Sequence, residues 1–151
     1  VTQWVTLYDV SESAPSVQRS FRLSRATSDL LDATAASTSE SRNSLAGRLL
    51  AEALRTERHP LVRFRTGAAG RREPFVVGTR LLVRQIVASA RGHEGNLVEA
   101  AEYLGVPTRV AQAGVSYYAD FADEVDADAG WASATETEER RRWEREQTAL
   151  A

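Results

Sequence analysis

Residues 17–23, Val-Gln-Arg-Ser-Phe-Arg-Leu, alternate like a strand, yet the next strand-like run starts only at Leu61. With a period of two, Val17, Phe21 and Leu23 share one face and Gln18, Ser20 and Arg22 the other, with Arg19 intruding on the apolar side. Everything between reads as helix. Ser24 is placed to cap a helix over residues 25–38, whose face is filled by Leu30, Leu31, Thr27, Thr34 and Thr38. After a polar break at residues 37–41, Ser41 caps a second helix carrying Leu45, Ala46, Leu49, Leu50, Ala53 and Leu54 at helical spacing, and His59-Pro60 ends it. A strand with no partner leaves a row of backbone groups unsatisfied. The economical partner is the same strand of a second copy, which makes the chain a dimer through a two-stranded ribbon.

Such a ribbon fits the major groove of DNA. On its polar face Arg22 can read guanine bidentately, Gln18 can read adenine, and Ser20 is permissive. The start of the second helix, Ser41-Arg42-Asn43-Ser44, offers free N–H groups and short polar side chains, a suitable phosphate clamp as well as a simple N-cap.

Charge divides along the chain. Residues 16–92 hold fourteen arginines against six acids, a net of +8, whereas residues 93–151 hold five arginines against thirteen acids, a net of −8. Phosphate suits the first part and a basic protein surface the second. No apolar run approaches the roughly 20 residues of a spanning helix. The start of the chain lacks the basic and apolar regions of a secretory signal, and there is no cysteine for disulfides or thiolate metal sites. These features lead us to expect a cytoplasmic protein without a membrane partner.

Residues 1–15 open with Trp4-Val5-Thr6-Leu7-Tyr8 and read as an extra strand or a loosely held arm. Residues 61–77 read as a hairpin, with Leu61-Val62-Arg63-Phe64-Arg65 and Phe75-Val76-Val77 flanking Gly67-Ala68-Ala69-Gly70. Three helices follow. The first covers about residues 81–91 with Leu82, Val83, Ile86, Val87 and Ala90, and the second covers about 97–104 and stops at Gly105. The third starts near Pro107 and runs through Val125. Thr108, Arg109, Gln112 and Ser116 form its polar side, which either enters a groove or is merely solvated; Glu94, Glu99 and Glu102 nearby favour the latter. Arg71, Arg72, Arg80 and Arg84 are better placed for phosphate backbone contact.

From residue 127 the chain is acidic and alanine-rich, then a charged, helical-looking stretch over residues 136–147, either a solvated salt-bridged helix or part of an extended tail whose Trp131, Trp143 and Leu150 need an external surface. Arg140, Arg141, Arg142 and Arg145 can enter a cluster of carboxylates on a partner, with the tryptophans as anchors. Catalysis has little to work with. His59 and His93 sit in turns without a metal-ligand or general-base spacing, Gly67–Gly70 lacks a phosphate-loop lysine, and the acids of residues 120–128 lack a calcium-loop pattern. No enzyme, cofactor or metal is expected.

Two resemblances add to this reading. Ser20-Phe21-Arg22-Leu23-Ser24, with Leu31, Ser41, Leu45 and Leu49, resembles the ribbon-helix-helix repressors of the CopG/Arc/MetJ type over about forty residues, with Ser39 where a glycine often stands. Gly78-Thr79-Arg80, the three helices, Val115-Ser116-Tyr117-Tyr118 and Asp123-Glu124-Val125-Asp126 resemble the family called domain of unknown function 433, a helix-turn-helix module. The chain departs from it with Arg72-Glu73-Pro74-Phe75 and with Gly114-Val115 in place of Ala-Leu. That family's members are often antitoxins of PIN-domain ribonucleases, in the manner of VapB and VapC. Glu139-Arg140-Arg141-Arg142-Trp143-Glu144 resembles their toxin-wrapping tails.

Together these imply a mostly α chain with short β elements, divided into an arm (1–15), a ribbon-helix-helix domain (16–60), a hairpin with a three-helix helix-turn-helix module (61–126) and a partner-binding tail (127–151). The implied function is an antitoxin that binds operator DNA as a homodimer or higher oligomer, represses its own operon and neutralises a PIN-type toxin. The alternative is a stand-alone repressor. The expected DNA contacts are Gln18, Ser20, Arg22, Ser41, Arg42, Asn43, Ser44, Arg80 and Arg109; the expected toxin contacts are Trp131, Arg140, Arg141, Arg142, Trp143 and Arg145.

Overall fold

The computed structural model of the chain describes residues 16–67 and 70–150. Residues 1–15, read above as the arm, lie outside them. The described residues form a mostly helical chain with one two-stranded antiparallel sheet, and the chain divides into two compact units, Val1–Leu45 and Ala46–Ala151.

In the first unit α1 spans Arg25–Thr38. Ser24 starts it, its side chain accepting from the Thr27 backbone N–H at 3.1 Å and removing one orphan donor. Ser39 ends it in the left-handed region, φ 58°, where glycine would be free of Cβ strain. Ser41 then accepts from the Ser44 N–H at 3.1 Å and opens α2, Arg42–Arg58, which continues into the second unit. Among the described residues of this first unit only Ala35 and Leu45 are buried. So small a core falls far short of what an independent fold needs.

In the second unit the end of α2 is followed by β1, Val62–Thr66, and β2, Arg72–Val76, paired in register from Val62 opposite Val76 to Thr66 opposite Arg72. The second strand starts three residues earlier than its apolar run suggests and includes Glu73 and Pro74. Beyond β1, β2 is met only by a single bridge from Phe75 to Leu82, so a proline is tolerated in it, and Glu73 is held by Arg84. The turn that leaves β2 uses Gly78 at φ 80° and Thr79, whose hydroxyl donates to the Val76 carbonyl at 2.8 Å and accepts from the Leu81 N–H at 3.1 Å.

The helices α3 (Val83–Gly92) and α5 (Thr108–Asp120) then pack on the sheet, and α4 (Leu97–Leu104) packs against both of them. Leu82, Val83, Ile86, Val87 and Ala90, the face expected from spacing, are all buried. α3 serves two clusters at once: Val83 and Val87 meet Val62, Tyr117 and Val125, while Ile86 meets Val76, Ala101, Val110 and Ala111. Asn96 caps α4, and Gly105 ends it at φ 68°.

Two expectations for the last third of the chain are corrected. The helix expected to run from Pro107 through Val125 breaks at Phe121 (φ −133°), whose N–H still reaches the carbonyls of Tyr117 and Tyr118. Phe121 turns its ring onto Tyr117 and His59, at 4.8 and 5.8 Å between centroids, and burying that ring displaces the helical conformation. The expected tail is not extended: helix is present over residues 136–147, as the sequence suggests, and it is part of one longer helix, α6, over Ala122–Leu150. It is continuous through residue 127, and its first half belongs to the core: Val125 and Asp128 are buried, and Trp131 is half-buried.

Gly114 sits where α5 crosses α3, and a Cβ there would lie 2.8 Å from Ile86 Cγ2. The glycine is thus required by close helix approach. Gly114→Ala should cost about 1–3 kcal/mol through overpacking, read as a lower urea midpoint with an unchanged slope; an unaltered midpoint would refute the tight approach.

Candidate nucleic-acid and partner interfaces

Residues 16–24 run ahead of α1 with every side chain exposed. Val17, Phe21 and Leu23 are 73%, 69% and 54% exposed, so the expected inner face of the ribbon has no cover among the described residues, and no strand forms over residues 16–24. A strand is defined by its ladder, and one copy supplies half of it. Gln18, Ser20 and Arg22 are exposed beside them, and Arg22 has no carboxylate partner among the described residues. At the head of α2, Ser41 is engaged as the cap and Arg42 pairs with Asp32 at 3.3 Å, an exposed pair open to exchange with another anion; Asn43 and Ser44 are exposed. Leu49, Leu50 and Leu54 of α2, expected to pack, are also exposed.

The second unit sorts its arginines by partner. Arg72 grips Glu52 through two parallel bonds of 2.8 Å, the strongest geometry available to such a pair. Arg71 reaches Asp128 at 2.7 Å and lies over the Trp131 ring at 4.9 Å, and Arg84 faces the buried Glu73 at 3.8 Å. These three, read from sequence as free for phosphate, are therefore committed to the fold. Arg80 and Arg109 are exposed and carry no ion pair among the described residues. Trp131 belongs to the Arg71 contact, which takes one of the two expected aromatic anchors. From residue 136 to the end of α6 every side chain is exposed, Trp143 and Leu150 to 60% and 83%. There Arg140 bonds Glu136 at 3.1 Å, Arg145 bonds Glu138 at 3.4 Å, and Arg141 and Arg142 are exposed.

A cluster missed in the sequence lies where α2 meets α5. His59 Nε2 and Arg58 Nε stand 2.9 and 2.6 Å from the same oxygen of Asp120, 61 and 62 residues away. Nearby, Tyr117 donates to Glu124 at 3.0 Å, and Glu124 also pairs with Arg55. Burial first, and the Glu124 charge second, push the Tyr117 phenol above its ordinary range, so it stays a donor. Hydrogen bonds from Arg58 and then from His59 hold the Asp120 carboxyl below its usual range. No local spacing marks these partners, because β1, β2, α3 and α4 intervene. Their pairing ties the end of α2 to the end of α5.

The sign of the pH effect follows. A carboxyl with a depressed folded pKa contributes stability above its unfolded value, about 3.9, and loses it as pH falls through the folded one. Asp120→Asn should lower the denaturation midpoint at pH 7, with the gap to wild type closing as the pH falls below about 4. A gap that persists in acid would show that charge is not its cause.

Comparison with protein-family models, with curated proteins and with solved structures finds no match to this chain.

Proposed function

We propose that the protein is a dimeric DNA-binding antitoxin, joined through residues 17–23 of two copies. One observation carries the reading: an alternating segment with an uncovered apolar face precedes two capped helices in a unit that buries only Ala35 and Leu45 among its described residues. Covering Val17, Phe21, Leu23 and Leu30 needs a second apolar surface, and pairing two such segments also satisfies their backbone groups. The pair forms a ribbon-helix-helix dimer that sets Gln18, Ser20 and Arg22 towards base edges. Residues 41–44 hold the flanking backbone, with Arg42 exchanging Asp32 for phosphate. In the second unit α4 and α5, joined by Gly105-Val106-Pro107, make a helix-turn-helix whose polar face carries Arg109 alone as a cation, and it serves mainly as a packing module.

The outer half of α6 is the toxin-binding element. At 3.6 residues per turn, Trp143 and Leu150 follow the line of Val125 and Ala132, so the buried face of the helix runs on beyond the core with nothing among the described residues to cover it. Arg140 flanks Trp143 on that face, whereas Arg141 and Arg145 lie on the opposite one. This favours docking of a formed helix over wrapping by an extended chain. A PIN-type ribonuclease, with its carboxylate cluster, is the partner that the tail's resemblance suggests. The capture of Trp131 by Arg71 favours a second reading, a repressor with no toxin, because it leaves only one of the two aromatic anchors expected in the tail, Trp143, outside the fold.

Two experiments test these readings. Arg22→Ala should weaken operator binding by about 1–3 kcal/mol and relax specificity at one position per half-site; unchanged affinity would sink the ribbon reading. Deletion from residue 136 onward spares Val125, Asp128 and Trp131, so it removes only exposed helix. The shortened protein should still dimerise and bind DNA but no longer protect cells from the ribonuclease encoded beside it. Full protection would favour the stand-alone repressor.

A further inference from the structure

The outer face of the hairpin carries a second, smaller set of unpaired cations. Ahead of α6, most arginines of the second unit have a carboxylate partner. Arg63, Arg65, Arg80 and Arg109 have none among the described residues, and the first three belong to the hairpin and the turn that follows it. Arg63 and Arg65 are two residues apart on β1, hence on one face and about 7 Å apart along the strand. Phe75 lies opposite Arg63 in the register.

These side chains are ordered without being neutralised. Arg63 donates to the carbonyls of Pro60 and Val62 at 2.7 and 2.9 Å. Arg65 donates to the Arg80 carbonyl at 3.3 Å and stacks over the Phe75 ring at 5.6 Å. Carbonyls and a ring face fix the guanidinium groups while leaving their full charge and several N–H donors for an anion. The acid on the same face, Glu73, is opposite Arg65 in the register but buried. Its carboxylate is turned into the fold, towards Arg84 and against Gly67, where a Cβ would come within 2.0 Å of Glu73 Oε2. The outward face is therefore basic around a half-buried aromatic ring.

We infer that Arg63, Arg65 and Arg80 form a phosphate-binding surface, through which the second unit grips the backbone of duplex DNA. The inference rests on the DNA-binding reading, but it assigns the DNA-facing role of this unit to its hairpin rather than to α5. Arg63 and Arg65 are held only by neutral groups, carbonyls and the Phe75 ring, and the Arg80 side chain is exposed beside them, so the three arginines contribute charge and position and no base readout.

The test is the salt dependence of binding of the full chain to a mixed-sequence DNA duplex. Replacing all three by glutamine (R63Q, R65Q, R80Q) should reduce the slope of log K against log salt by roughly 0.9 for each phosphate that the variant no longer neutralises, while leaving the melting temperature near wild type. The corresponding lysine variant (R63K, R65K, R80K) keeps the charge and should keep most of the slope, so it also reports if the glutamine protein misfolds. Wild-type slope and affinity in the glutamine variant, with Arg22→Ala still impairing operator binding, would overturn this inference alone. Failure of the wild-type protein to bind any duplex would overturn it together with the DNA-binding reading. Loss of binding to phosphatidylserine vesicles with duplex binding intact would assign the surface to a membrane and overturn it as well.

Discussion

Burial is shared very unequally between the two units, and most of what the molecule can do follows from that. In the second unit α3 is covered on both flanks: Val83 and Val87 close one cluster, and Ile86 closes the other against α5 through the space left by Gly114. A side chain as large as Ile or Val contributes about 1.5–3 kcal/mol when fully buried, and here such residues sit on one ten-residue helix. The first unit has the same kinds of residue, but Val17, Phe21, Leu23 and Leu30 lie in the open. The chain thus contains one self-sufficient module and one segment that must find its apolar cover elsewhere.

Ion pairing separates the arginines in a way that residue type alone does not. A guanidinium held by a carboxylate, as Arg72 is by Glu52, has spent its charge inside the fold, and removing either partner leaves an uncompensated group. One held by carbonyls or a ring face keeps its charge for an external anion. By this criterion Arg71, Arg72 and Arg84 are architectural, whereas Arg63 and Arg65 keep their charge, as does the exposed Arg80, which has no carboxylate partner among the described residues. The net charge of a segment counts both kinds equally, so the +8 of residues 16–92 overstates what DNA would meet.

Local signals carried most of the architecture. Ser24, Ser41, Asn96 and Gly105 mark helix ends through backbone hydrogen bonds or a left-handed φ, which operate within four residues and are legible in a window of that size. The apolar spacing of α3 identified its buried face for the same reason. What escaped was non-local. Nothing near Phe121 announces a break, since the cause is a ring site formed by Tyr117 and by His59, far away in sequence. Nor does the alanine-rich acidic stretch reveal that Asp128 and Trp131 meet Arg71 across more than fifty residues. Segments poor in large apolar residues look like tails until a specific partner elsewhere in the chain anchors them.

That anchoring changes the physics of the C-terminal element. A free segment of fifteen residues rich in Glu and Arg is a marginal helix, because nucleation must be met before any packing repays it. In α6 the nucleus is already supplied by Val125 and Asp128 in the core, so the outer turns extend a helix instead of starting one. Pairs such as Glu136–Arg140 add a few tenths of a kcal/mol each. A partner that takes up Trp143 and Leu150 therefore meets side chains whose spacing is set in advance, and the ordering cost of binding falls accordingly. The same rigidity limits what the partner can grip. Arg140 stands beside the tryptophan, while Arg141 and Arg145 point away from it, so one shallow groove cannot engage all four arginines. A partner that uses them all must either surround the helix or unwind its end.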